Sequence, residues 1–94
     1  MKFELTQALV KRLFDYDPQT GAVVWRKKTG PLSTKGTVVG RYLSHDGHMR
    51  VGIYGKTYSL PIIIWLYMTG EIPTHNIGHK DGNKLNNAWS NLQK

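Results

Sequence analysis

The 94-residue sequence contains no cysteine and no long hydrophobic run. The lack of cysteine excludes disulfide bonds and thiolate zinc sites, and it is compatible with a reducing cytosol. The longest apolar run, residues 60–68, is too short to span a bilayer, and residues 1–10 lack the basic start and apolar core of a signal peptide. We therefore expect a soluble cytoplasmic protein that has no membrane partner.

Acidic residues are also scarce, because six Asp and Glu stand against thirteen Lys and Arg, and the formal net charge is +7. Residues 26–56 contain seven basic residues and a single acidic residue, Asp46. Bases that neutralise phosphates release condensed counterions, so a polyanion is the natural partner, and we predict duplex DNA. The alternative is a solvated basic face that aids solubility. The residues predicted to bind DNA are Arg26, Lys27, Lys28, Lys35, Arg41, Arg50, Lys56, Lys80 and Lys84.

Aromatic residues are plentiful enough to build a core in a chain of this size. Three Trp, five Tyr and two Phe belong to a hydrophobic fraction of 39%, and each such side chain buries a large apolar area. The length suits one small domain and no more. We therefore predict a single folded domain over residues 1–94.

The N-terminal segment, residues 1–21, has the pattern of a helix followed by a turn. Apolar residues recur at helical spacing from Leu5 to Tyr16, with Thr6 available as the N-cap. Pro18 prevents the helix from continuing and opens the turn. An amphipathic helix of about three turns is predicted here.

Residues 22–60 have the pattern of a β-meander that carries a basic loop. The stretch 22–26 is rich in β-branched and aromatic residues, whereas residues 27–37 contain two Gly, one Pro and little that could be buried. Apolar and polar residues alternate over residues 49–53, and glycine-containing turn sequences lie on either side. The pattern predicts a three-stranded antiparallel sheet. Candidates for its open face are Arg41, Arg50 and Lys56.

Residues 61–71 predict a second helix that has almost no polar side. Pro61 suits the first helical position and Gly70 suits the end. A helix that is apolar all round must be buried near the centre of the domain. We therefore predict an α+β fold in which the three-stranded antiparallel sheet packs on this buried helix.

The C-terminal segment, residues 76–94, combines His79 and one aspartate with several asparagines. It predicts a short strand that ends at His79, a tight turn at residues 81–83, and a short helix that opens near Asn86 or Asn87. This is the layout of a ββα-metal hairpin, whose imidazole points into the concavity between hairpin and helix. Neutral imidazole, with an ordinary pKa of about 6.5, can take a proton from water at physiological pH.

These residues resemble a known family of nucleases. The sequence HKDGNKLNN followed by SNL resembles the core of the HNH homing-type endonucleases of bacteriophages. The stretches LFDYDPQTGAVVWR, GHMRVGIYGKTYSL and IIIWLYMTGEIP are similar to the segments that precede that core in short phage members, so the resemblance covers about residues 13–92. The strands also resemble the Apetala-type DNA-binding domain. The resemblance implies a location in the cytoplasm of an infected bacterial host.

The resemblance also implies roles for individual residues. His79 matches the general base that activates water against a phosphodiester. Asn91 matches the asparagine that braces the hairpin through backbone hydrogen bonds. Residues 81–83 match the turn, and Asn86 and Asn87 match the polar opening of the helix.

The sequence departs from the family at the metal ligands. Gly78 stands where the family has an acidic residue that binds a divalent cation, and Pro61 aligns with an upstream histidine. The last ligand, an Asn or His beyond the final Asn-Leu step, has no counterpart up to Lys94, and it could exist only if the natural chain continues past that residue. Asp81 is better placed to cap its own turn than to replace the missing ligand. Mg²⁺ or another divalent cation is therefore expected as a cofactor only if the site is active, and otherwise none.

Three interpretations of the function follow from this pattern. The first is an HNH-family DNA-binding protein of a phage whose phosphodiester cleavage is lost or weak. The second is an inhibitor of a host protein or defence complex, such as an anti-CRISPR protein, built on a reused HNH fold. The third is an active nickase with an unusual metal shell. The remaining histidines, His45, His48 and His75, suggest no separate metal site.

Overall fold

In a computed structural model of the chain, the residues that can be described are 4–26, 36, 38–39, 42–43, 49–74 and 77–94. They form two α-helices and small antiparallel sheets, which confirms the predicted mixture of helix and antiparallel strand. The elements in chain order are α1 (Gln7–Leu13), β1 (Phe14–Tyr16), β2 (Val23–Trp25), β3 (Tyr42–Leu43), β4 (Met49–Ile53), β5 (Lys56–Ser59), α2 (Leu60–Thr69), β6 (Gly78–His79), a 3₁₀ helix (Trp89–Asn91) and β7 (Leu92–Gln93).

The first helix is shorter than predicted. Its N-cap is Thr6, whose side chain accepts a hydrogen bond from the Leu9 backbone N–H at 3.1 Å. The helix ends at Leu13, and the predicted extension to Tyr16 is wrong, because residues 14–16 form β1 and pair antiparallel with β2. Strand β1 buries Phe14 and Tyr16 together on one face. The ring centroids of Phe14 and Trp25 are 4.4 Å apart.

The second sheet has the order β3-β4-β5 and is antiparallel throughout. Val51 and Ile53 of β4 are buried, while Gly52 between them is exposed. Tyr54 and Gly55 join β4 to β5, and both have positive φ, at 48° and 84°. Positive φ at both central residues gives the turn the right-handed twist that the two strands require.

Helix α2 contributes five buried residues to the core, whereas Ile62, Trp65, Tyr67 and Met68 are only partly buried. It spans Leu60–Thr69, so it begins one residue before and ends two residues before the predicted range of 61–71. Pro61 lies in its first turn, and Gly70, whose φ is 81°, is its C-cap. It packs against α1, β4 and β5. Its fully buried residues are Leu60, Pro61, Ile63, Ile64 and Leu66.

The C-terminal segment differs from the prediction in one element. Strands β6 and β7 pair antiparallel, with His79 opposite Leu92. The predicted helix near Asn86 or Asn87 is wrong, because residues 86–88 are not helical and a 3₁₀ helix begins only at Trp89. Asparagine side chains in this loop bond to nearby backbone groups and so compete with helical hydrogen bonds.

Neither described α-helix has the length and apolar character that crossing a membrane requires.

Candidate functional site

The loop of residues 80–91, between β6 and β7, is organised around the Asp81 carboxylate. Its Oδ1 accepts hydrogen bonds from the Asn83 backbone N–H at 2.8 Å and the Asn91 Nδ2 at 2.9 Å. Its Oδ2 accepts one from the Asn86 Nδ2 at 2.9 Å. Asn91 returns a bond, because its Oδ1 accepts from the Asp81 backbone N–H at 3.0 Å. Two asparagine side chains and one carboxylate therefore hold the loop in a single shape.

These hydrogen bonds also hold Asp81 in its charged form. The Asn86 side chain, the Asn83 backbone and the Asn91 side chain, in that order of effect, lower the pKa of Asp81 below its ordinary value. Each bond favours the carboxylate over the neutral acid.

The described residues beside His79 offer no free carboxylate for a divalent cation. Asp81 is the sole carboxylate between residues 77 and 94, and N–H donors point at both of its oxygens. In the described part of the chain, no group of three or more His, Cys, Asp or Glu could hold a metal. Mg²⁺ prefers one or two free carboxylates, together with substrate phosphate.

Gly78, the residue before His79, is not required by the backbone. Its φ is not among the positive values found at other glycines. A Cβ at this position would lie 3.3 Å from Cγ and 3.5 Å from Nε2 of the flexible Gln93 side chain, and 3.7 Å from Gln93 O. An amino acid with a side chain therefore fits after a small movement of Gln93. Neither the backbone conformation nor the space around Gly78 therefore requires a glycine at this position.

The His79 side chain is half-buried and held by an asparagine. Its Nε2 lies 2.9 Å from the Asn87 Oδ1. The Nδ2 of Asn87 donates to the Met49 Sδ at 3.0 Å, so the oxygen of the amide is the atom that faces the ring. An oxygen can only accept, so in this arrangement a neutral imidazole carries its proton on Nε2. The Nδ1 atom keeps its lone pair and has the chemistry of a base.

The sequence pattern predicts Asn87 at the start of a helix and gives no sign of its contact with His79. The residue is only 2% exposed, and its backbone oxygen accepts a hydrogen bond from the Tyr16 hydroxyl at 2.6 Å. Tyr16 and Asn87 are 71 residues apart in the sequence. No local pattern signals a contact over this separation.

The predicted DNA-binding residues occupy different parts of the surface. Lys80 and Lys84 are exposed on the loop of residues 80–91, named the His79 loop because it directly follows that residue. Lys56 is exposed at the start of β5. Arg50 follows Met49 in β4 and lies on the opposite face of that strand, since successive side chains alternate.

Arg26 has contacts within the protein. Its Nη1 donates to the Lys11 backbone oxygen at 3.0 Å, and its Nε lies 3.7 Å from the Asp15 Oδ1. The other predicted bases and histidines, which fall outside the described residues, are Lys27, Lys28, Lys35, Arg41, His45, His48 and His75.

Residues 60–93 match the family model described as HNH endonuclease. The matched segment contains α2, His79 and the whole loop of residues 80–91, and it is about a third of the chain. The match supports the similarity of this segment to HNH endonucleases. No curated protein and no solved structure gives a significant match to the chain.

The hydroxyl of Tyr16 makes stability depend on pH at the alkaline end. Burial, and secondly the charge of Asp17, raise the pKa of Tyr16 to about 12. A tyrosine in the unfolded chain ionises near pH 10. Between these values the unfolded chain has released a proton that the folded protein retains, so the unfolded state is favoured as pH rises.

We therefore expect the free energy of unfolding to fall from pH 10 to pH 12, as measured by denaturant titration. Tyr16→Phe has no ionisable hydroxyl and should lose less stability over the same range. Ultraviolet absorbance of the folded protein should show one of the five tyrosines titrating near pH 12. Parallel stability curves for the two proteins would contradict the assignment.

Proposed function

We propose that the chain is an HNH-type DNA-binding protein of a phage, with phosphodiester cleavage that is weak or lost. One observation carries the proposal: the ring of His79 is oriented by Asn87, while the preceding residue is Gly78. The HNH endonucleases that the sequence resembles have a metal-binding acidic residue at the position of Gly78. The family match over residues 60–93 supports nuclease ancestry and DNA as the partner.

Charge supports DNA as the ligand. The chain carries a net charge of +7, and two of its exposed lysines, Lys80 and Lys84, lie on the His79 loop. Lysines beside a base that faces a phosphodiester neutralise the phosphates on either side of it. Two hydrogen bonds between Asp81 and Asn91 also brace the loop.

The chemistry of the site supports weak cleavage. Nδ1 of His79 has the lone pair needed to take a proton from water. Cleavage of a phosphodiester also requires stabilisation of the charge that builds on the phosphate and the leaving oxygen. A bound divalent cation would supply that stabilisation. In the described residues around His79, no free carboxylate is available to hold such a cation, since both oxygens of Asp81 accept hydrogen bonds from the loop.

The proposal is tested by the salt dependence of binding to duplex DNA. The double variant Lys80→Ala/Lys84→Ala should bind more weakly, and the slope of log K against log salt should flatten by about 2, close to one unit for each phosphate contact. Fluorescence anisotropy over a series of salt concentrations measures both quantities.

The matched control is Lys11→Ala/Arg12→Ala, which removes the same charge from the exposed last turn of α1. It should leave the slope nearly unchanged. Equal effects of the two double variants would show that net charge, and not the His79 loop, governs binding. Absence of duplex binding at low salt would overturn the proposal.

A further inference from the structure

The four asparagines of the C-terminal loop divide into two groups by their contacts. The amides of Asn86 and Asn91 bond to Asp81, and Asn83 bonds to Asp81 and to the Leu85 backbone. Asn87 alone of the four contacts the His79 ring, at 2.9 Å. The loop shape and the orientation of His79 therefore depend on different asparagines.

The Asn87 amide is held by groups that lie outside the loop. Its Nδ2 donates to the Met49 Sδ, at the start of β4, and this contact determines which amide atom faces His79. If the amide were reversed, Nδ2 would donate to the ring and the imidazole proton would lie on Nδ1. The identity of the basic nitrogen thus depends on the environment of one buried amide.

The backbone of Asn87 is held by the N-terminal β-hairpin, residues 14–25. The Tyr16 hydroxyl donates to the Asn87 oxygen at 2.6 Å, and the Trp89 backbone N–H donates to the Pro18 oxygen at 2.8 Å. The turn of the hairpin approaches so closely that a Cβ on Gly21 would lie 2.5 Å from the Asn87 carbonyl carbon. The hairpin therefore contacts the loop directly on either side of Ala88.

We propose that Asn87 is the positioning residue of His79 and that Tyr16 fixes Asn87 in this role. The inference rests on the proposed function of His79 as a base facing phosphate. It places part of the functional unit outside the matched segment 60–93, because Tyr16 and Met49 precede that segment. Asn87 holds the imidazole with its proton on Nε2 and leaves Nδ1 to accept a proton.

The test is nuclear magnetic resonance of the ¹⁵N-labelled full chain without DNA, at about pH 8, where an ordinary imidazole is neutral. His79→Ala identifies the ring signals among the four histidines. In the unaltered chain we expect the proton on Nε2 and slow exchange of that proton with water. In Asn87→Ala the exchange should be at least about tenfold faster, as for loss of one ordinary hydrogen bond.

Three further variants separate positioning from folding. Asn87→Asp keeps an oxygen toward the ring and should retain the protected proton. Tyr16→Phe leaves the Asn87 side chain intact and should speed exchange by a smaller factor than Asn87→Ala. Asn86→Ala removes an amide from the same loop that has no contact with His79, and it should leave the ring signals unchanged.

A proton on Nδ1 of the unaltered chain would overturn the inference. So would equal exchange rates in the unaltered chain and a folded Asn87→Ala. If Asn87→Ala does not fold, equal rates in Tyr16→Phe and the unaltered chain would overturn it. The measurement contains no DNA, so failure of DNA binding would leave its result intact and would refute the proposed function separately.

Discussion

Gly78→Asp is expected to nick supercoiled plasmid DNA in Mg²⁺ or Mn²⁺ at a rate at least about 100-fold above that of the unaltered chain. The substitution places a carboxylate next to His79 in the sequence. The backbone permits it, since the φ of Gly78 is ordinary and the closest neighbour of a Cβ is the Gln93 side chain. One carboxylate and a substrate phosphate are a usual ligand set for Mg²⁺.

The matched control for this prediction is Gly78→Asn, which has nearly the same size and no charge. It should remain as inactive as the unaltered chain. Adding His79→Ala to Gly78→Asp should abolish nicking, because the base is then missing. If the unaltered chain nicks DNA and His79→Ala abolishes that activity, the protein is a working enzyme with replacement ligands. Equal activity of Gly78→Asp and Gly78→Asn would contradict the role given to the carboxylate.

Gly21→Ala is expected to lower the free energy of unfolding by at least about 3 kcal/mol, a large part of the stability of a small domain. Two effects add at this position. The φ of Gly21 is +81°, which alanine rarely adopts, and a Cβ would lie 2.5 Å from the backbone atoms Ala88 N and Asn87 C. Backbone atoms cannot move aside as a flexible side chain can. Thermal unfolding followed by circular dichroism measures the loss.

Gly82→Ala separates the two effects. Gly82 lies in the His79 loop at a φ of +76°, but no heavy atom lies within 4 Å of the added Cβ. This variant should carry only the conformational cost, about 1 kcal/mol. Equal losses of stability in the two variants would show that the close approach of the hairpin to the loop has little energetic importance.

The elements that the sequence predicted well are those with local signals. Pro61 and Gly70 mark the ends of α2, and the alternation at residues 49–53 marks β4. Thr6 was correctly placed as the cap of α1. Each of these signals acts through neighbours within a few positions along the chain, so a pattern of residues is sufficient to show it.

Two elements were predicted wrongly because local patterns allowed more than one structure. Leu13 and Tyr16 fit helical spacing, but Phe14 and Tyr16 fit strand spacing equally well, and pairing with β2 decided between them. Asn86 and Asn87 suit a helix start, yet their side chains bond to Asp81 and His79, respectively, in a loop that is not helical. In both cases tertiary partners outweighed local preference.

The sequence alone shows which chemical groups this protein has, among them a histidine, a basic surface and a glycine where a carboxylate is expected. It cannot show which nitrogen of a neutral His79 ring carries the proton. That depends on Asn87, which in turn contacts Tyr16, 71 positions away, and Met49, 38 positions away. A hydrogen bond tolerates a change of only a few tenths of an ångström in the distance between donor and acceptor. Only the packing of hairpin, sheet and loop brings these atoms together within that tolerance.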